Sequence, residues 1–101
     1  MKQTNTRDLI VPIIRNVAAK ISPIVNRNLT DDNYFQSYCH ISKFIRILNL
    51  KVDEFTIIEG TIRMAAFSIM TDFGHDYAIN DIEEWILLNS DIGRSDKEIK
   101  N

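Results

Sequence analysis

Three side chains that can ligate a metal ion lie within five residues of one another: Asp72, His75 and Asp76. Carboxylates and imidazole groups are common zinc ligands, so this spacing is compatible with a small metal site. A solvated loop at the end of a helix explains the same residues, because a histidine beside a helix C-terminus is favoured by the helix dipole. We therefore predict no metal site, and no other motif in the sequence requires a cofactor.

Cys39 and His40 form the second arrangement that could carry chemistry. Adjacent side chains in a helix point about 100° apart, so these two cannot act as nucleophile and base on one face. Cys39 is instead predicted to be a small core residue and His40 a partly exposed one. The sequence also lacks a glycine-rich phosphate loop, a nucleophile elbow and paired zinc-ligand motifs. We predict a protein that is not an enzyme and has no catalytic residues.

The length and composition of the chain indicate one ordinary globular domain. Its 101 residues are 45% hydrophobic and 26% charged, and the domain is expected to span residues 1–101, with mobile ends at about 1–5 and 94–101. A single cysteine excludes an internal disulfide and favours a reducing compartment. The polar N-terminus and the lack of a long apolar run argue against a signal peptide and a membrane span, so we predict a cytoplasmic protein.

The net charge of −2 hides an uneven distribution of charged residues. Residues 1–51 carry eight basic and three acidic side chains, whereas residues 52–101 carry four basic and eleven acidic ones. The two halves can attract each other within one fold, or they can form a bipolar surface that recruits a charged partner. Both interpretations remain open at the level of the sequence.

Apolar residues recur at intervals of three and four along most of the chain, as expected for amphipathic helices. This spacing predicts four main helices, near residues 7–21, 31–49, 53–73 and 80–90. Short connections between the later helices favour antiparallel neighbours. The predicted fold class is therefore all-α, a compact antiparallel bundle of four main helices that forms a single helical domain.

Capping residues mark the predicted helix ends. Thr30, followed by Asp31 and Asp32, is the clearest start, because a hydroxyl and two carboxylates suit the free N–H groups and positive dipole end of a helix. Asn80 is predicted to cap the last helix in the same way. Gly74 is well placed to end the third helix, because glycine adopts the left-handed conformation that closes many helices.

The segment at residues 53–62 is the main ambiguity, because the chain uses isoleucine 17 times and β-branched residues favour strands. A hairpin at about 52–68 that turns near Gly60 would give an α+β domain instead. The three-and-four spacing over residues 55–73 favours a helix. In that helix, the absence of a side chain at Gly60 would let another helix approach closely.

A protein–protein interaction module is the function that the sequence favours. Residues 34–48 carry more aromatic and apolar side chains than one buried stripe needs, and such a surplus is typical of a binding surface. We predict a small intracellular inhibitor, immunity protein, antitoxin or regulatory subunit that binds a protein partner or a second copy of itself. The anchors we predict are the large aromatic residues, which dominate interfaces when buried: Tyr34, Phe35, Tyr38, Phe44 and Trp85. Packing in the core of the domain is the alternative explanation for each of them.

A helix-turn-helix that binds DNA through residues 42–60 is the alternative. Phe44, Ile45 and Leu48 before the turn have spacing that suits this motif. The second helix would begin with Asp53 and Glu54, which would repel phosphate groups, so nucleic acid is a disfavoured partner.

Overall fold

The computed structural model describes residues 6–21, 29–70 and 75–90. Within these ranges the chain forms four α-helices and no strand: α1 (Thr6–Ile21), α2 (Asp31–Leu48), α3 (Glu54–Met70) and α4 (His75–Leu88). The prediction of an all-α bundle of four main helices is confirmed. The hairpin alternative at about 52–68 is wrong, because this segment forms the helix that the apolar spacing predicts.

Capping interactions define both ends of α2. The Thr30 hydroxyl accepts a hydrogen bond from the backbone N–H of Asn33 at 3.2 Å, as predicted for an N-cap. Asn49 adopts the left-handed conformation, with φ 54° and ψ 44°. The next residue, Leu50, donates its N–H to the carbonyl of Ile45 at 3.0 Å and buries its side chain, so the helix closes in a Schellman motif.

The start of α3 is fixed by Asp53, whose carboxylate accepts a hydrogen bond from the backbone N–H of Thr56 at 2.7 Å. This residue therefore acts as the N-cap of α3, immediately before the first helical residue, Glu54. The carboxylate satisfies a free N–H group at the positive end of the helix dipole. The predicted end of this helix, at residues 71–73 and Gly74, lies outside the described residues.

The predicted start of the last helix is wrong, because α4 begins at His75 and Asn80 lies within it. The physical reason is the regular spacing of the apolar residues that pack against the core. Ile79 packs against the same core cluster as Ile82 and Ile86, so the spacing of three and four extends towards the N-terminus past Asn80. Asn80 itself is exposed and tolerated within the helix.

Helix α3 is the centre of the bundle and contacts α1, α2 and α4. One core cluster joins it to α1 and α2, and a second joins it to α2 and α4. A Cβ atom added to Gly60 would lie 3.3 Å from the Cδ1 atoms of both Ile41 in α2 and Ile86 in α4. The missing side chain therefore allows two helices to pack closely on α3, as the sequence predicted.

The chain direction places the C-terminal ends of α2 and α4 at the same end of the bundle. In α3, Gly60 approaches Ile86, while Met64, one turn later, clusters with Ile82, one turn earlier in α4. Helices α3 and α4 are therefore antiparallel. A short connection makes α2 antiparallel to α3 as well, so α2 and α4 run in the same direction.

Ion pairs attach α1 to the start of α2. The Arg7 guanidinium lies 2.5 Å from the carboxylate of Asp32, and Arg15 pairs with Asp31. Arg15 also donates to the carbonyl of Leu29 at 3.2 Å. All these partners belong to the basic N-terminal half of the sequence, so these ion pairs do not join the two charged halves.

Candidate partner-binding surface

The five predicted anchors lie in different environments, and the structure does not bring them together. Tyr34 is fully buried in the core cluster of α1, α2 and α3. Phe35 is half-buried, as is Tyr38, which packs against that cluster. Phe44 and Trp85 are also half-buried, but they line separate grooves on the two sides of α4. Tyr34 therefore supports the core, and the anchors do not form a continuous patch.

The Tyr34 hydroxyl is buried and has no hydrogen-bond partner within the part of the chain that the structure describes. Burial raises the pKa of this phenol, because the charged form loses its hydration; the charge of Arg15 acts in the opposite direction, and Asp31 adds to the increase. The Arg15 guanidinium lies over the ring, 5.6 Å from its centroid. The aromatic ring thus stabilises the fold through packing and a cation–π contact, whereas burial of the hydroxyl away from water is destabilising.

Cys39 is exposed, so its predicted place in the core is wrong. The buried stripe of α2 runs through Ser37 and Ile41, and a residue midway between them points to the opposite side of the helix. His40 is partly exposed, as predicted. One ring nitrogen of His40 lies 2.9 Å from a carboxylate oxygen of Glu83, which ties the middle of α2 to α4.

This contact borders an open groove between α2 and α4, which we call the α2–α4 groove. It has a volume of about 230 Å³ and is lined by His40, Lys43, Phe44, Ile47, Leu48 and Glu83. Ile47 is 68% exposed and Leu48 is 46% exposed. Phe44 forms the inner wall, because it also packs against the core cluster of α2, α3 and α4. The groove is thus apolar inside and has charged residues at its edges.

Exposed apolar residues continue from this groove onto α4. Leu87 follows Glu83 by one helical turn, so it lies on the side of α4 that faces α2, and its side chain is exposed. Leu88, the next residue, is also exposed, but it lines the groove between α3 and α4. Since α2 and α4 run in the same direction, these leucines and Ile47 lie towards the same end of the bundle. Of the five predicted anchors, Phe44 is the one that lines this groove.

Charged residues of opposite sign are exposed on α2 and α4. Lys43 and Arg46 are exposed on α2, and Glu84 is exposed on α4, where it lines the groove between α3 and α4. None of the three has an ion-pair partner among the described residues. The basic side chains also suit the C-terminal half of α2, where the helix dipole is negative. One helix therefore offers free positive charge and its neighbour offers free negative charge.

A second groove lies between α3 and α4, has a volume of about 400 Å³ and contains Trp85. The Arg63 guanidinium covers the Trp85 ring at 4.8 Å from its centroid and also lies 3.4 Å from the carboxylate of Glu59. The ring face of Trp85 is thus already occupied by a side chain of the same molecule. This makes Trp85 a weaker anchor for a partner than the open residues of the α2–α4 groove.

No group of three or more histidine, cysteine or acidic side chains that could hold a metal ion occurs among the described residues. The side chains of Asp72, His75 and Asp76 lie outside that description. Within the described ranges, no helix combines the length and apolar character needed to cross a membrane.

Comparisons with protein-family models, curated protein sequences and solved structures give no match for this chain. The geometry and charge of its own surface are therefore the grounds for assigning it a function.

Proposed function

We propose that this chain is a small non-enzymatic protein-interaction module that binds a protein partner through the α2–α4 groove. The observation that supports the proposal most directly is the exposure of Ile47, at 68%, beside an open apolar groove. Burial of an isoleucine or leucine side chain contributes about 1.5 to 3 kcal/mol. A partner that covers the exposed parts of Ile47 and Leu48 would gain about 2 kcal/mol from these two residues alone.

The type of module remains as the sequence suggested: an inhibitor, immunity protein, antitoxin or regulatory subunit that acts in the cytoplasm. Its small size and single cysteine support an intracellular role. The groove supports binding of an amphipathic helix or a helical face, because two neighbouring helices with apolar walls receive such partners in ridge-into-groove packing.

DNA binding through residues 42–60 has less support from the structure. A recognition helix must expose one long face to enter the major groove. Helix α3 is instead the central helix of the bundle, and its buried positions lie on several sides, including Thr56, Ile58 and Thr61. Glu54 and Glu59 add negative charge to the part of α3 that remains accessible, and this charge would repel DNA phosphates. For these reasons we propose a protein partner and not a nucleic acid.

Affinity capture with matched surface variants tests the proposal. Ile47→Asp places a charge in the groove, whereas Leu9→Asp places the same charge at a residue of α1 that is 59% exposed. Tagged wild-type protein and both variants are incubated with a lysate of the cells that encode the chain, and bound proteins are quantified by mass spectrometry. We expect a protein that wild-type and Leu9→Asp retain and that Ile47→Asp loses by at least about tenfold, which corresponds to about 1.4 kcal/mol.

Circular dichroism and thermal unfolding of both variants establish that each is folded. If folded Ile47→Asp retains the same proteins as Leu9→Asp, in the same amounts, the groove is not the binding surface and the proposal is overturned.

A further inference from the structure

We propose that the groove between α3 and α4 is a second binding surface, which receives a basic amphipathic helix of a protein partner. We call it the α3–α4 groove. It lies on the other side of α4 from the α2–α4 groove, so the inference goes beyond the function proposed above. Its volume is about 400 Å³, and five of the eight described residues that line it are apolar.

Apolar side chains from both helices line the α3–α4 groove. Ile82 is buried in the core cluster of α2, α3 and α4, so it forms the floor. Phe67 of α3 is half-buried, and Leu88 of α4 is 54% exposed. Two antiparallel helices with an apolar furrow between them can accept a third helix by ridge-into-groove packing. The shape and lining therefore suit the apolar stripe of an amphipathic helix.

The free charge of the α3–α4 groove is negative. Asp81 and Glu84 line it from α4, are exposed and form no ion pair among the described residues. Arg63 is the only basic residue among the described lining residues. Its guanidinium already lies 3.4 Å from the Glu59 carboxylate and 4.8 Å from the centroid of the Trp85 ring. The two α4 carboxylates are thus the groups available to a partner.

These carboxylates determine the charge of the occupant. Asp81 and Glu84 are three residues apart, so they lie on the same side of α4, about one helical turn from each other. Lysine or arginine side chains that flank the apolar stripe of a partner helix at the same spacing would reach both carboxylates. An acidic helix or a nucleic acid would bring like charges together. The described side chains of α4, residues 79–88, include three carboxylates and no basic group, which favours a basic partner further.

Tryptophan fluorescence tests the inference, because Trp85 is the only tryptophan of the chain and lines the α3–α4 groove. The probe is a helical peptide of about 15 residues without aromatic side chains, in which leucine recurs at intervals of three and four and lysine flanks the leucines. At low ionic strength, where charge attraction is least screened, we expect it to change the Trp85 fluorescence with a Kd below about 100 µM. The same peptide with glutamate in place of lysine, and a scrambled lysine peptide, should each bind at least about tenfold more weakly.

Matched charge variants show whether the groove itself attracts the peptide. The double variant Asp81→Asn/Glu84→Gln removes both groove carboxylates and should bind the lysine peptide at least about fivefold more weakly. The control double variant Asp8→Asn/Glu54→Gln removes two exposed carboxylates elsewhere and changes the net charge by the same amount. It should bind the peptide as the wild type does. Circular dichroism establishes that both variants are folded.

A second pair of variants tests the apolar contact. Leu88→Ser should also weaken binding at least about fivefold, whereas Leu9→Ser should not, although the two leucines have similar exposure, 54% and 59%. Ile47→Asp should bind the lysine peptide normally, because Ile47 lines the α2–α4 groove. The fate of the proposed function is therefore separate from the fate of this inference.

Each possible result decides the question. No change in Trp85 fluorescence up to about 1 mM lysine peptide overturns the inference. Equal binding of the lysine and glutamate peptides overturns it, since the carboxylates would then select nothing, and equal binding of the scrambled peptide overturns the amphipathic helix. Equal losses in the two double variants also overturn it, because the peptide would then respond only to the net charge of the protein.

Discussion

Replacing Tyr34 with phenylalanine is expected to stabilise the protein, although Tyr34 is one of its most buried residues. The ring packs among residues of three helices, and Phe keeps both this packing and the contact with Arg15. The only atom lost is a hydroxyl oxygen that is buried and has no hydrogen-bond partner among the described residues. Leaving such a group unsatisfied costs about 1 to 3 kcal/mol, because it gives up hydrogen bonds to water.

We therefore expect Tyr34→Phe to raise the free energy of unfolding by about 1 to 2 kcal/mol. For a chain of this size, that corresponds to an increase of about 4 to 8 °C in Tm for each kcal/mol. Urea unfolding followed by circular dichroism measures the effect, with equal m-values for the two proteins as a check. Tyr38→Phe is the matched control. It should change stability by less than about 0.5 kcal/mol, because Tyr38 is only half-buried and its hydroxyl is not a buried unpaired group.

The difference in stability between Tyr34→Phe and the wild type should depend on pH. Burial holds the pKa of Tyr34 in the folded protein above the ordinary tyrosine value of about 10, so the folded state resists ionisation more than the unfolded state does. The stability that depends on the neutral phenol is present below pH 10 and is lost as the pH rises towards the folded pKa. The advantage of Tyr34→Phe should therefore grow above about pH 10. A variant that is less stable than the wild type at neutral pH would refute this reasoning, because the hydroxyl would then have a favourable partner.

Three further predictions concern the helices. Gly60→Leu should lower the free energy of unfolding by about 1 to 3 kcal/mol, measured in urea, because a Cβ atom alone would already lie 3.3 Å from two isoleucine methyl groups; an unchanged midpoint would show that the packing is loose. Thr30→Ala should lower the free energy of unfolding by about 1 kcal/mol, because α2 loses its N-cap, whereas Thr30→Ser should keep nearly all of the wild-type stability. Equal losses of stability in the two variants would contradict a hydroxyl cap. Cys39 should react with a thiol reagent in the native protein as readily as in the denatured one, because it is exposed. A much slower reaction in the native protein would show that Cys39 is buried.

Local signals in the sequence were sufficient for most helix ends. The hydroxyl of Thr30 precedes two carboxylates, and this short pattern needs no information from distant residues. Asn80 has the same local pattern and yet lies inside α4. There, the packing of Ile79 on the core extends the helix past a residue that would otherwise start it. A capping residue therefore allows a helix to begin, but tertiary packing decides whether it does.

The candidate surface was harder to predict, because it depends on which helices are neighbours. Spacing along α2 separates Ile47 from the buried stripe but cannot show that α4 lies beside it. The sequence predicted Phe44 and Trp85 as anchors for the same partner. Only the position of α4 shows that they line different grooves. Similarly, the surplus of acidic residues in the second half of the chain did not indicate that Glu83 would line the same groove as Lys43. Contacts between residues about 40 positions apart carry this information.

The most direct test of a binding surface on α2 and α4 is the pattern of amide chemical-shift changes in two-dimensional NMR spectra as the partner is added. The partner is the protein that the wild type retains and Ile47→Asp loses in affinity capture. We expect the largest changes at residues 43–48 and 83–88, with little change in α1, and we expect Ile47→Asp to abolish them. Changes centred on α1, or spread equally over all four helices, would contradict a binding surface on α2 and α4.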